Sequence, residues 1–147
     1  MTENPLPSLF GRFTALFQDH DHLSKTLRRL RLMCGVLDGG RQSLPAELSP
    51  DVLLLDLRAH LGLHFAAEES DEYFGTVVDE APALEPEIAG LKWEHLTMLK
   101  AADVLCGVAR DRTRWRDLTG PTRELIAQLE RHERSESKLL RSLFAGT

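Results

Sequence analysis

The sequence has few of the features of disulfide-rich, membrane-spanning or nucleic-acid-binding proteins. Only two of its 147 residues are cysteines, and Cys34 and Cys106 lack the close pairing of a zinc ribbon. No run of about 18 apolar residues is present, so no bilayer span is expected. The net charge of -5 argues against nucleic acid or an anionic membrane as a partner. Segment 1–10 does not resemble a secretory signal, and isolated thiols suit a reducing compartment, so a cytoplasmic location is predicted.

The composition that remains, 42% hydrophobic and 28% charged, predicts one globular domain over residues 1–147. Sustained alternation of polar and apolar residues is absent, and so is an Asn-Gly hairpin turn, which argues against strands. Helix-breaking residues at 39–40, 49–51, 82–86 and 119–121 divide the chain into four segments. The sequence therefore predicts helices at roughly 6–38, 50–79, 84–109 and 119–144.

Each segment carries an apolar stripe whose members are three or four residues apart, which is the spacing of one helix face. The four stripes comprise Leu9, Phe13, Leu16, Leu23, Leu27 and Leu30; Leu54, Leu57 and Leu61; Ile88, Leu91, Met98, Ala102, Leu105 and Ala109; and Leu118, Leu125, Leu129, Leu139 and Leu143. Four such helices joined by short loops predict an all-α fold, an antiparallel up-down-up-down four-helix bundle.

Polar residues interrupt every stripe at a position expected to face the core. They are His20, His64, Glu68, His95, His132 and Glu136. The second and fourth helices each carry an H-x-x-x-E phrase, which places an imidazole and a carboxylate on one face. Buried carboxylates without a partner are costly, so these six residues are predicted to bind metal. The rise of a helix allows all six to meet in one layer of the bundle.

The donor set restricts the metal. Four imidazoles and two carboxylates are too many donors for a structural zinc ion and too rich in nitrogen for calcium or magnesium. They suit iron or manganese, most naturally two ions with the carboxylates and an oxo, hydroxo or water oxygen as bridges. Zinc could also substitute for iron. Six protein donors would leave open positions for a diatomic ligand such as dioxygen or nitric oxide.

Over nearly its full length the chain resembles the hemerythrin-like (HHE cation-binding) family, bacterial type. The matching phrases are Asp19-His20, His64-Phe65-x-x-Glu68-Glu69, Glu94-His95 and His132-x-x-x-Glu136. The resemblance implies a non-haem di-iron centre ligated by His20, His64, Glu68, His95, His132 and Glu136, with the two glutamates bridging. It implies a protein that binds dioxygen, nitric oxide or iron for sensing, storage or stress protection.

Two positions depart from the oxygen-carrying hemerythrins. Leu99 stands where those proteins have a second third-helix histidine, and Glu136 replaces an aspartate that comes one residue later. The chain is closer to bacterial HHE proteins and to di-iron proteins of iron–sulfur cluster repair, although it lacks the cysteine-containing N-terminal segment usual in the latter. Redox turnover, in repair or in detoxification of peroxide or nitric oxide, is therefore an alternative to simple binding.

The residues beside the six ligands have weaker predicted roles. His22 is expected to be exposed, whereas His60, one turn before His64, could be a ligand, a supporting residue or a surface residue. Glu69 is expected to face solvent, with a hydrogen bond to a ligand imidazole as the alternative, and Glu94 is expected to point elsewhere on its helix than its neighbour His95.

Three other functional classes fit the sequence less well or stay open. A ferritin-like oxidase is disfavoured because no glutamate lies three residues before a histidine. Hydrolysis is disfavoured because no nucleophile or general base stands apart from the ligands. A metal-free helical interaction module, and a homodimeric state, stay open.

Overall fold

The structure, a computed structural model, describes residues 20–40 and 43–145. The described part is helical without strands, and contains α1 (His20–Asp38), α2 (Pro50–Glu68), the short α3 (Thr76–Glu80), α4 (Glu85–Ala109) and α5 (Thr119–Ala145). Helix α1 contacts α2 and α5, and α4 contacts the same two helices. This arrangement is compatible with a helical bundle. None of the helices in the described ranges is long and apolar enough to cross a membrane.

The second predicted helix, 50–79, is wrong in one respect because α2 ends at Glu68. Ser70 has an extended backbone (φ -69°, ψ 162°), and its hydroxyl donates to the carbonyl oxygen of Ala67 at 2.7 Å. A serine hydroxyl that satisfies a terminal carbonyl in this way competes with continued helix formation. A wide π-helical turn, Asp71–Gly75, then leads into α3. The part of the first predicted helix at 6–19 lies outside the described residues.

The junction between α4 and α5 is held by side chains rather than by a flexible loop. The indole nitrogen of Trp115 donates to the carbonyl oxygen of Ala109 at 2.8 Å, which satisfies a terminal acceptor of α4. The carboxylate of Asp111 accepts from the backbone N–H of Thr113 at 3.0 Å and caps the 3-10 segment Arg112–Leu118. Helix α5 follows directly at Thr119, so its register against α4 is well defined.

The apolar stripes form the core, as predicted for the described residues. A large cluster gathers residues of all four long helices, with Leu30, Leu54, Leu57 and Leu61 fully buried. A smaller cluster contains Phe74, Val77, Ile88, Leu91, Leu139 and Leu140. Leu143 is only half-buried at its edge, and of the two thiols only Cys34 is fully buried. Between the two clusters lie buried histidines and glutamates.

Candidate metal centre

Four of the six predicted ligands converge in the core. Glu68 of α2, His95 of α4, and His132 and Glu136 of α5 each offer a donor atom, and these four atoms all lie within 4.8 Å of one another. All four side chains are buried, and His95 is fully inaccessible to solvent. This donor set of two nitrogens and two carboxylate oxygens could hold a metal ion.

The two imidazoles face each other through their Nε2 atoms, which are 3.0 Å apart. On the far side of each ring, Nδ1 contacts a carboxylate: His95 Nδ1 lies 3.0 Å from Glu69 Oε2, and His132 Nδ1 lies 2.6 Å from Glu94 Oε2. A carboxylate accepts a hydrogen bond, so each Nδ1 must carry the proton. Both Nε2 lone pairs of the neutral rings therefore point into the same small space, where they repel each other unless a cation or a proton lies between them.

The carboxylate of Glu68 is buried without conventional partners. Its side chain is 1% exposed, and neither oxygen makes a hydrogen bond of normal geometry with a described residue. Nitrogen atoms nevertheless crowd around Oε1, since Nε2 of His64 lies at 3.2 Å and Nε2 of His95 at 3.7 Å. On α5, Oε2 of Glu136 lies 3.4 Å from Nε2 of His132. Several nitrogen and carboxylate donors crowded this closely in a buried site are the arrangement expected around a shared cation.

Protonation of the metal-free site follows from this crowding. Burial, together with the neighbouring Glu136 carboxylate, raises the pKa of Glu68 well above its ordinary value. Burial alone would lower the pKa of His132, but the carboxylates of Glu136 and Glu94 outweigh it and raise that pKa. Burial lowers the pKa of His95. Both shifts favour proton binding at Glu68 and His132 in the metal-free site, and a bound cation would compete with those protons.

Of the other two predicted ligands, only His64 has a described side chain. His64 is buried and borders the four-residue group through its 3.2 Å contact with Glu68, on the α2 side of the site. The side chain of His20 lies outside the described residues, so its role stays a prediction. Among the predicted neighbours, His22 is exposed as expected, and His60 is half-buried beside His64 without belonging to the four-residue group.

Two phenylalanines enclose His95, and neither role was predictable from the sequence pattern. The ring of Phe65 stacks on the imidazole at a centroid distance of 3.9 Å and an interplanar angle of 8°. The ring of Phe74 stacks at 5.9 Å and 11°. Phe74 follows the break at Ser70, so that interruption of the helix carries it into the site. The aromatic walls fix the ring plane of His95 and exclude water from its surroundings.

Glu69 and Glu94 are both exposed, and each also accepts a hydrogen bond from a site imidazole. Glu69 thus faces solvent and also has its alternative role as a partner of His95, while Glu94 points away from its neighbour His95 as predicted. Adjacent residues on a helix do not share a face, and indeed Glu94 contacts His132 on α5 rather than its own neighbour His95. The only sequence signal was the placement of both glutamates beside predicted ligands. Carboxylates of this kind orient ligating histidines and raise their basicity.

A surface cavity of about 280 Å³ reaches the site between α4 and α5. Its lining consists of Trp93, Glu94, Thr97, Met98, Gln128, Arg131 and His132. The cavity is large enough for a small diatomic molecule, and it approaches His132 from the side held by Glu94.

Comparison with known proteins identifies no relative of this chain. No protein-family model matches it, and no curated protein or solved structure does either. The resemblance to hemerythrin-like proteins therefore stays a prediction that rests on the ligand pattern.

Proposed function

We propose that this chain binds a redox-active metal, most naturally two non-haem iron ions, in an antiparallel bundle of hemerythrin type, and that the centre binds dioxygen or nitric oxide. The observation that carries the proposal is the 3.0 Å approach of the two Nε2 atoms of His95 and His132. Their opposite nitrogens are both held by carboxylates, which is the orientation that metal-ligating histidines adopt in proteins.

The chemistry of the donors suits iron or manganese and disfavours calcium, magnesium and a thiolate-bound structural zinc ion. The four-residue group consists of two imidazoles and two carboxylates and contains no thiolate. Structural zinc sites most often include thiolates, whereas calcium and magnesium prefer oxygen alone. Imidazole mixed with carboxylate suits iron and manganese, which can change oxidation state.

The position of His64 supports a second ion. Oε1 of Glu68 lies 3.2 Å from Nε2 of His64 and 3.7 Å from Nε2 of His95. A carboxylate close to two imidazole nitrogens could be shared by two metal ions. His64 would serve the second ion, and His20 is the predicted residue that would complete its ligands.

The protein residues around the centre have separable tasks. Glu69 and Glu94 hold the protons on Nδ1 and so keep the Nε2 lone pairs directed inward. Phe65 and Phe74 exclude water around His95. When bound, the iron would supply redox capacity and affinity for a diatomic ligand, and the cavity beside His132 offers that ligand a route from the surface.

Metal analysis and an optical spectrum of the purified protein test the proposal. We expect about two irons per chain and a charge-transfer absorption that changes on exposure to air or nitric oxide. Loss of bound metal in Glu136→Ala, with retained helicity, would tie the metal to this site. If no metal binds, and chelation leaves the free energy of unfolding unchanged, the metal-free interaction module is the better description.

Binding and catalysis can be separated with the same protein. Consumption of peroxide or nitric oxide over many turnovers by the iron-loaded chain, and its loss in Glu136→Ala, would identify an enzyme. Stoichiometric uptake without turnover would identify a binder, which is the function we propose.

A further inference from the structure

Three histidines form a row that leads from the protein surface to the buried glutamates. We call His22, His60 and His64 the histidine row. The side chain of His22 is 54% exposed, His60 is half-buried, and the side chain of His64 is 6% exposed. Ring centroids are separated by 4.9 Å between the first two and by 5.9 Å between the second two. The row ends where His64 Nε2 lies 3.2 Å from Glu68 Oε1.

The outer end of the row pairs an imidazole with a carboxylate. His22 Nε2 lies 3.2 Å from Oδ2 of Asp56, whose side chain is 48% exposed. The hydroxyl of Thr26 donates to the same oxygen at 3.4 Å and helps to hold the carboxylate in place. With the Nε2 proton donated to Asp56, the Nδ1 lone pair of His22 can bind a cation, and Asp56 supplies negative charge beside it.

Helix geometry makes the row continuous. His60, His64 and Glu68 are spaced four residues apart on α2, so they share one face, and α1 adds His22 across the interface. The rings of His60 and His64 are nearly parallel, at 15°. An ordinary bundle seam would place apolar side chains at such positions. The row instead offers a nitrogen donor at each depth between solvent and the metal centre.

We infer that the histidine row and Asp56 are an uptake path for divalent metal ions: the ion is captured by His22 and Asp56 and passes by His60 to His64 and Glu68. The inference rests on the proposed metal-binding function. It assigns to His60 a transient contact with the metal rather than a permanent place among the ligands, which agrees with its position outside the four-residue group.

The cavity on the opposite side is a poor route for cations. Its lining includes the guanidinium of Arg131, and it reaches His132 at the Nδ1 side, where the proton and Glu94 already occupy the nitrogen. There the charge of Arg131 offsets that of Glu94, and the protonated Nδ1 of His132 has no lone pair to offer a cation. Metal ions would therefore enter the site along the histidine row, and an uncharged diatomic ligand would enter through the cavity.

Stopped-flow mixing of the metal-free protein with Co²⁺ tests the inference, because bound cobalt absorbs in the visible range. We expect His22→Gln and Asp56→Asn each to slow uptake by about tenfold while the final cobalt content is unchanged. Asp103→Asn is the matched control. It also removes one exposed carboxylate, but that carboxylate lies on α4, where it pairs with Arg58 of α2 outside the histidine row. The control should take up cobalt at the wild-type rate.

His60→Gln is the third variant and should also slow uptake without lowering the final content. Full uptake at the wild-type rate in His22→Gln, Asp56→Asn and His60→Gln would overturn the path but leave the metal site intact. A lower final content in His60→Gln would make His60 a permanent ligand and would also overturn it. If the wild-type protein takes up no cobalt, iron or manganese, the proposed function fails and the path fails with it.

Discussion

Replacing Glu68 by glutamine should have opposite effects on the metal-free and metal-loaded protein. The substitution keeps the shape of the side chain but removes its charge. In the metal-free protein Glu68 is 1% exposed, has no hydrogen bond of normal geometry within the described residues, and lies beside the Glu136 carboxylate. A glutamine there needs neither a proton nor a counter-ion, and its amide can donate to Glu136. We therefore expect Glu68→Gln to stabilise the metal-free protein.

The gain in stability that Glu68→Gln brings to the metal-free protein should depend on pH. Burial and Glu136 raise the folded-state pKa of Glu68, so its contribution to stability is fully present below its unfolded pKa and is lost as pH rises through the folded pKa. Glutamine does not titrate, and the variant should lose that part of the pH dependence. Near neutral pH the free energy of unfolding should rise by about 1–3 kcal/mol, the usual cost of an unsatisfied buried polar group. That gain corresponds to about 3 °C in Tm per kcal/mol.

In the metal-loaded protein, Glu68→Gln should lower the free energy of unfolding instead of raising it. Iron at about a thousand times its Kd would add about 4 kcal/mol to the unfolding free energy of the wild-type chain. Glu68→Gln loses a carboxylate ligand, so most of that gain should disappear. Urea unfolding followed by circular dichroism, with a chelator or with Fe²⁺ under anaerobic conditions, measures both effects. Glu124→Gln, an exposed glutamate on α5, is the control and should change neither.

The opposite outcome would be that Glu68→Gln destabilises the metal-free protein at neutral pH as strongly as it weakens the metal-loaded protein. That result would mean that the Glu68 carboxylate is a structural anion whose charge the fold needs. Equal stability with and without iron, in the wild-type chain, would refute the metal-binding half independently.

Three further substitutions probe other parts of the structure. Glu94→Gln removes the charged acceptor of the His132 Nδ1 proton, so metal affinity measured by competition with a chelator should fall by about 10- to 100-fold, while unchanged affinity would deny Glu94 a positioning role. Arg123 on α5 donates a hydrogen bond to the Asp38 carboxylate on α1, which lowers the pKa of Asp38. The stability that this pair contributes is present above the unfolded-state pKa and is lost as pH falls through the folded-state pKa. Asp38→Asn should therefore lower Tm slightly at neutral pH and not in strong acid. Leu57→Ala in the fully buried core should lower the free energy of unfolding by about 2–5 kcal/mol, and a loss below about 1 kcal/mol would show that this part of the core is loosely packed.

The sequence predicted the helices best where periodicity and breakers agree. Helices α4 and α5 occupy Glu85–Ala109 and Thr119–Ala145, beside the predicted 84–109 and 119–144. The break at Ser70 was missed because it depends on a single hydroxyl that bonds the carbonyl of Ala67, and the apolar pattern continues across it. Local competition of this kind leaves little trace in hydrophobic spacing.

Within the described residues, the sequence by itself determined which polar residues face the core. His64, Glu68, His95, His132 and Glu136 are all buried because each lies on the apolar stripe of its own helix, and that spacing is a one-dimensional property.

Only the tertiary structure decided what those residues meet. The 3.0 Å approach of His95 to His132, and the hydrogen bond that His132 donates to Glu94, join atoms of two helices whose relative rotation and height depend on how the whole core packs. A helical repeat specifies a face but not the partner opposite it, so the convergence of lone pairs that supports a metal centre became visible only in three dimensions.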